Sequence, residues 1–205
     1  MSDFIKEKTR PKIDARIQKM RAEYRKNGIP TILDESLNLL LTVLRAKNPA
    51  KILEIGTATG MSGICMLQVA KSARLTTVEA DEKSYLSARA NFKEFGVNQR
   101  VNAIFSDAGD VVKYSDSAYD FIFLDGAKAR YYDYLPDLDR LLNPGGVLFA
   151  DNVLFRGLIE SEKVPHRNMT IVRNMRAFIN ELCESENYET SLLNVGDGVL
   201  IAVKK

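Results

Sequence analysis

The chain has 205 residues, which suits one domain with a sizeable core, and 45% of them are apolar, which excludes wholesale disorder. The formal net charge is only +2, so nothing global demands a nucleic-acid partner. No apolar run approaches a membrane span and the N-terminus lacks the apolar core of a signal peptide, so a cytoplasmic chain without a membrane partner is expected. Charge is uneven, however. Residues 1–26 hold nine Lys/Arg against four Asp/Glu, an excess of +5 that leaves −3 for the remainder. Cys65 and Cys183 fall in predicted helices without metal-ligand spacing, and read as reduced core thiols.

In chain order, residues 11–26 carry Ile13, Ile17, Met20 and Tyr24 on one helical stripe, with Pro11 at the start and Asn27-Gly28 at the end. Leu33–Ala46 is a second helix with a broad apolar face, stopped by Asn48-Pro49. Strands and helices then alternate. Strands are predicted at Ile52–Ile55, Leu75–Glu79, Val101–Phe105, Phe121–Leu124 and Val147–Ala150. Helices are predicted at Ser62–Ser72, Glu82–Phe95, Tyr132–Leu142 and Thr170–Glu184. Two last strands, Tyr188–Asn194 and Val199–Val203, flank Gly196-Asp197-Gly198 and read as a hairpin. The pattern predicts a single α/β domain. Its sheet is doubly wound, mostly parallel and seven-stranded, closed by a C-terminal antiparallel hairpin. Residues 1–48 form an N-terminal helical cap and 49–205 the core.

The most informative stretch is Lys51–Gly63, KILEIGTATGMSG. A buried strand runs into a glycine turn, and a helix follows. Gly56 and Gly60 let the backbone turn sharply and let a ligand approach it. The first N–H groups of the next helix point at that ligand. The spacing is neither G-x-G-x-x-G nor G-x-x-x-x-G-K-[ST], so the dinucleotide and P-loop fingerprints are not met. Glu54, an acid on the strand before G-x-x-x-G, resembles motif I of the S-adenosylmethionine-dependent methyltransferases. On that reading Glu54, Gly56, Thr57, Gly60 and Ser62 line a cofactor site. The plain alternative is an ordinary strand-to-helix turn.

In such sheets ligands sit beyond the carboxyl ends of the strands, and here each of the five parallel strands ends in polar groups. Glu79 lies 23 residues after Gly56, where an acid can accept both ribose hydroxyls; a solvated strand-end acid is the alternative. Asp107 can accept from an adenine amino group while the Ala108 N–H donates to the ring, although Asp is also a common turn residue. Ser62 can donate to the cofactor carboxylate or cap its helix. Asp125, Asp151 and Asn152 together offer two anionic oxygens and one neutral one. Hard oxygen ligands, few in number, suit Mg²⁺. A zinc site would want His or Cys, and the single His166 lies elsewhere, in a stretch read as a surface loop.

The stretches Phe123–Lys128 (FLDGAK) and Ala150–Gly157 (ADNVLFRG) resemble the metal-dependent O-methyltransferases, the group of catechol and caffeoyl-CoA O-methyltransferases. The resemblance runs from about Pro30 to the C-terminus. It implies that Asp125, Asp151 and Asn152 hold the metal, with Asp125 also beside the cofactor, and that Lys128 lies next to the acceptor oxygen as base or oxyanion stabiliser. It also implies that the backbone of Ile32 touches the cofactor, and that the chain forms a homodimer. Phe149–Gly157 and Asn194–Gly198 are similar to a bacterial branch that methylates 5-hydroxyuridine at the wobble position of tRNA. Position 126 departs from the pattern, being Gly where catechol methyltransferases carry a larger residue against adenine. There is no tryptophan, so an aromatic gate falls to Tyr131, Tyr132 or Phe155, and Arg156 is a candidate phosphate contact. The acceptor is therefore expected to be 5-hydroxyuridine in tRNA, or else a small catechol-like or phenolic molecule. In the tRNA case the basic segment 1–26 helps to hold the RNA.

Overall fold

The computed structural model describes residues 3–205, apart from the side chains at positions 3, 5 and 6. Two helices, α1 (Asp3–Lys8) and α2 (Ala15–Lys26), lead into α3 (Asp34–Lys47). The alternating part follows: β1 (Lys51–Ile55), α4 (Met61–Val69), β2 (Arg74–Glu79), α5 (Glu82–Glu94), β3 (Val101–Phe105), α6 (Ala108–Tyr114), β4 (Tyr119–Leu124), α7 (Tyr131–Leu141) and β5 (Leu142–Asp151). The chain ends with α8 (Met169–Glu184), β6 (Tyr188–Leu193) and β7 (Val199–Lys204). The seven strands form one sheet in the order β3-β2-β1-β4-β5-β7-β6. The first five are mutually parallel, and β7 runs antiparallel to both β5 and β6.

Side chains on β1 alternate between two cores. Ile52 packs toward α2, α3, α4 and α5, while Leu53 and Ile55 pack toward α6, α7 and α8. Both faces are covered, which is why the strands read as continuous apolar runs instead of alternating ones. The order reverses between β1 and β4, so a crevice opens at their carboxyl ends.

Several expectations need correction. The N-terminal helix starts at Ala15, not Pro11, because Asp14 caps it by accepting from the Arg16 N–H at 2.8 Å. The predicted stripe is nevertheless the buried face: Ile17 is fully buried, and Ile13, Met20 and Tyr24 pack against the same core. Helix α6 has no counterpart in the sequence reading; it is only seven residues long, and its Gly109 and flanking acids read as a turn. Strand β5 begins at Leu142, well before Val147, across a register shift opposite Tyr119 and Phe121. Cys183 is not a core thiol but exposed on α8, whereas Cys65 is buried, which pushes its thiol up to about 12. Among the described residues no helix is long and apolar enough to cross a membrane.

The cap is tied down electrostatically as well. Arg21 is buried and donates to the Ile32 carbonyl at 2.9 Å and to Asp34 Oδ1 at 2.6 Å, an oxygen it shares with Arg25 at 2.7 Å. We expect Ile17→Ala to destabilise the protein by about 2–4 kcal/mol, the range for emptying a buried aliphatic site. Urea unfolding measures this; a loss below about 0.5 kcal/mol would mean that α2 is not part of the cooperative core.

Candidate active site

The turn after β1 is built on a close approach. Gly56, at φ 97°, lies so near β4 that a Cβ there would sit 2.5 Å from the Asp125 carbonyl oxygen. No side chain fits, and the turn is pinned against the residue that ends β4. Gly60, at φ 79°, then caps α4 without any side-chain bond to the helix, so the first N–H groups of α4 have no capping partner. Pro30, Thr31, Ile32, Gly56, Thr57, Ala58, Met61, Ser62, Asp125, Lys128 and Asn152 surround a cleft of about 200 Å³. The structure thus brings together in one cavity Ile32, Gly56, Thr57, Ser62, Asp125, Lys128 and Asn152, seven of the candidates drawn from distant parts of the chain.

The other candidates lie around it. Glu79 ends β2 one strand away, and its carboxylate accepts from the N–H groups of Ala58 (2.8 Å), Ala80 (3.0 Å) and Asp81 (2.9 Å). That fixes the acid against the glycine turn. Asp107 caps α6 by accepting from Gly109 and pairs with Arg130 at 2.9 Å, and these contacts hold its carboxyl below the usual range despite some desolvation. Arg130, which the sequence reading passed over, therefore already occupies Asp107 Oδ1 and Oδ2. Ala108 follows as the first residue of α6. The Ile32 carbonyl accepts from Arg21 at 2.9 Å, and Ile32 lines the cleft.

Beneath the turn, Glu54 is completely buried. Ser62 donates to its Oε1, and Thr77 donates to its Oε2 at 2.7 Å, while the Thr57 hydroxyl lies 2.6 Å from that of Thr77. Ser62 is thus neither a helix cap nor free in this structure; its proton goes to Glu54. Thr77 was legible only through register, since β1 and β2 pair Glu54 with Thr77. Desolvation pushes the Glu54 carboxyl up to about 7, with the two hydroxyls opposing and Asp125 and Glu79 adding to the shift.

Parallel register sets Leu124 beside Ala150, so Asp125 and Asp151 leave adjacent strands side by side. Asp151 is fully buried, and its Oδ1 accepts from the Asn152 N–H at 2.9 Å while its Oδ2 has no partner. Burial first, and the neighbouring Asp125 second, push its carboxyl up to about 7. The hydroxyl of Ser36, from α3, eases that shift without completing a hydrogen bond and is itself without a partner. Nothing in the local sequence marks Ser36. Desolvation also raises Asp125, against the pull of Lys128, whose Nζ lies 3.4 Å from Asp125 Oδ1. Asn152 sits in the left-handed region at φ 58°.

Tyr131 is not a gate residue. It is fully buried and packs edge-on against Phe178 at 5.5 Å, and burial first, with the charges of Asp125 and Asp151, raises its hydroxyl well above the ordinary range. Arg156 is exposed on the rim, and His166 is exposed, as its loop reading required.

A family model described as O-methyltransferase matches residues 12–205. The chain belongs to the O-methyltransferase family. This O-methyltransferase is 31% identical to the tapetum-specific methyltransferase 1 of Arabidopsis thaliana, over 85% of its own length and 76% of that protein's. It is 29% identical to a caffeoyl-CoA O-methyltransferase of Populus kitakamiensis, over 85% and 78% of the two chains. Its structure is similar to that of TomG from Streptomyces achromogenes, an O-methyltransferase involved in tomaymycin synthesis and solved in complex with SAM. There the TM-score is 0.83 and the identity 25%, over 95% and 91% of the chains. The seven-stranded methyltransferase sheet expected from the alternating pattern is thus the family's fold, and the protein is a methyltransferase enzyme.

In this enzyme the raised Glu54 carboxyl has a thermodynamic consequence. A folded value near 7 against an ordinary 4.5 means that the folded state holds the proton longer. Stability should therefore fall as pH rises from about 4.5 to 7 and then level off. The full shift corresponds to about 3 kcal/mol as an upper bound. Asp151, pushed into the same range, adds to the same fall, so Glu54→Gln should make that part of the stability profile shallower; urea midpoints with the same pH slope in both proteins would show that Glu54 titrates normally.

Proposed function

We propose that the enzyme methylates a hydroxyl with a second oxygen beside it, using S-adenosylmethionine and a divalent cation, and that this acceptor is 5-hydroxyuridine in tRNA. The observation that carries the metal part is Asp151, a fully buried carboxyl with an unpartnered Oδ2 beside Asp125. A buried charge without a partner is costly, and a cation is the partner that this geometry lacks. The donor set also fits the ion. Among the described residues no group of three or more His, Cys, Asp and Glu is placed to hold a metal; the proposed site consists of two carboxylates and the Asn152 amide. That small oxygen set suits a Mg²⁺ that keeps positions for water and substrate.

S-adenosylmethionine supplies an electrophilic methyl on sulfur, and a bound divalent cation lowers the pKa of an acceptor hydroxyl and fixes its oxygen. The chain's own residues do the rest. The glycine turn and the uncapped start of α4 receive the cofactor's polar groups, and Glu79 accepts from its ribose. Asp125 borders both cofactor and metal positions. Lys128, tethered by Asp125, takes the acceptor proton if neutral or stabilises the oxyanion if charged.

For the acceptor, the support is the pair of stretches similar to the tRNA branch. In the fold Val153 and Leu154 donate to the carbonyls of Gly198 and Asp197 at 3.0 Å each, so the two stretches form one rim next to Asn152. The basic N-terminal segment contributes less than its charge suggests. Arg21 is buried, Arg25 is paired with Asp34, Arg16 with Asp14 and Lys8 with Glu7, which among the described side chains of the segment leaves Arg10, Lys12, Lys19 and Lys26 exposed without an ion pair. A second reading, a small phenolic acceptor, is favoured by the named activity of the Populus kitakamiensis relative. A catechol-like pair of oxygens would meet the same donors.

Three outcomes test these readings. Chelator should abolish turnover and added Mg²⁺ restore it; full activity in excess EDTA after exhaustive dialysis would rule out the metal. Lys128→Met should lower kcat by roughly 10²-fold with little change in cofactor affinity, and an unchanged single-turnover rate would return Lys128 to a loop role. Replacing Lys12, Lys19 and Lys26 with Gln should raise KM for undermethylated tRNA and flatten its salt dependence, with no effect on a free hydroxyuridine nucleoside. A wild-type enzyme that methylates catechols far faster than undermethylated tRNA would establish the phenolic reading instead.

A further inference from the structure

We propose that Asp197 is a positioning residue, which holds the 152–157 loop in a strained shape and thereby aims the Asn152 amide at the site. Three non-glycine residues of this loop have left-handed backbones: Asn152 at φ 58°, Phe155 at 46° and Arg156 at 58°. L-residues adopt this region reluctantly, and such shapes persist only where the surroundings over-determine them. What holds them here is the turn before β7. The Arg156 N–H donates to Asp197 Oδ1 at 2.6 Å, a short charge-assisted bond, and the Leu154 N–H donates to the Asp197 carbonyl at 3.0 Å. The Val153 N–H donates to the Gly198 carbonyl at 3.0 Å. Asp197 thus grips the loop twice, 41 residues from Arg156 in sequence.

The turn is fitted to this task on both sides. Gly198, at φ 85°, is where a Cβ would overlap Leu154, so the loop can lie directly on the turn. A Cβ on Gly196 would overlap the Ser36 hydroxyl, so the same turn also packs on the helix that faces Asp151. Asn152 lines the cleft, and its side-chain amide makes no hydrogen bond within the described residues. The direction of its Cα–Cβ bond is set by its backbone, and its backbone by the loop. An ordinary turn aspartate would bond its own neighbours; this one bonds a distant loop.

The clamp follows from geometry alone, while its effect on a cation rests on the proposed metal reading. The test compares full-length wild type, Asp197→Ala and Asp197→Asn, whose amide keeps the accepting oxygen. Two readouts are used: Mg²⁺ calorimetry without cofactor or acceptor, and the rate of tryptic cleavage after Arg156. Asp197→Ala should bind Mg²⁺ about tenfold more weakly, the scale for residues that orient metal ligands. Its cleavage after Arg156 should speed up, and Asp197→Asn should stay close to wild type in both. Wild-type affinity and wild-type cleavage in Asp197→Ala would overturn the proposal. If Asp197→Ala does not fold, the double variant Asp197→Ala/Arg156→Gly carries the test. Glycine accepts φ 58° without a clamp, so this variant should fold and bind Mg²⁺ within about threefold of wild type; failure to do so overturns the proposal. If wild type itself binds no Mg²⁺, the metal reading falls, and the cleavage rates decide the clamp by themselves.

Discussion

At the carboxyl edge of the sheet, β1 and β4 come together so tightly that the Gly56 position has no room for a Cβ against the Asp125 carbonyl. This contact decides what the crevice can hold. It draws the glycine turn, the open start of α4 and the end of β4 into one cavity. Parallel pairing then adds the next strand in step, so that Ile55, Leu124 and Ala150 share a level and Asp125 and Asp151 leave it together. The α2–α3 cap closes the cavity from above through Pro30, Thr31 and Ile32. Local rules explain each strand; only the sheet order explains the site.

The same edge concentrates negative charge in a region of low dielectric, and the protein treats its acids differently. Glu54 is deep, and the two hydroxyls that donate to it only partly offset its desolvation, so its carboxyl is pushed up to about 7. Glu79 is satisfied by three backbone N–H groups. Asp151 receives its neighbour's N–H and some relief from the Ser36 hydroxyl, yet its Oδ2 has no partner, and Lys128 is shared with Asp125. The unmet demand is thus local, and it falls beside Asn152, whose side-chain amide makes no hydrogen bond among the described residues. That asymmetry, more than the presence of acids, supports the proposed cation site over a set of strand-end turns.

Much of this was legible beforehand because apolar runs and glycine turns are local signals. β1, β2, β3 and β4 are nearly where periodicity puts them, and the strand-end acids follow from fold class. The misses share a cause in tertiary geometry. The absence of tryptophan makes Tyr131 a candidate gate, yet Tyr131, Tyr134, Leu135, Leu138 and Leu141 form one helical stripe that is buried throughout, and that spacing places Tyr131 inside. Helix α6 was lost to its glycine and acids. Ser36 and Arg130 act on groups far away in sequence, so no motif could announce them, and although Asp197 lies in the Asn194–Gly198 stretch, its partner 41 residues away could not be read from it. The +5 segment shows the reverse error: composition counted Arg21 and Arg25 as available charge, whereas the fold spends them on Asp34.

The central claim is that Asp125, Asp151 and Asn152 form a site for one divalent cation. The most direct measurement titrates Mn²⁺ into metal-free protein and follows the electron paramagnetic resonance signal of the free hydrated ion. One saturable site per chain is predicted, competed by Mg²⁺ and abolished in an Asp151→Ala protein that keeps its circular dichroism and urea midpoint. A free-ion signal that never diminishes in wild type, or diminishes equally in the folded variant, would contradict the account.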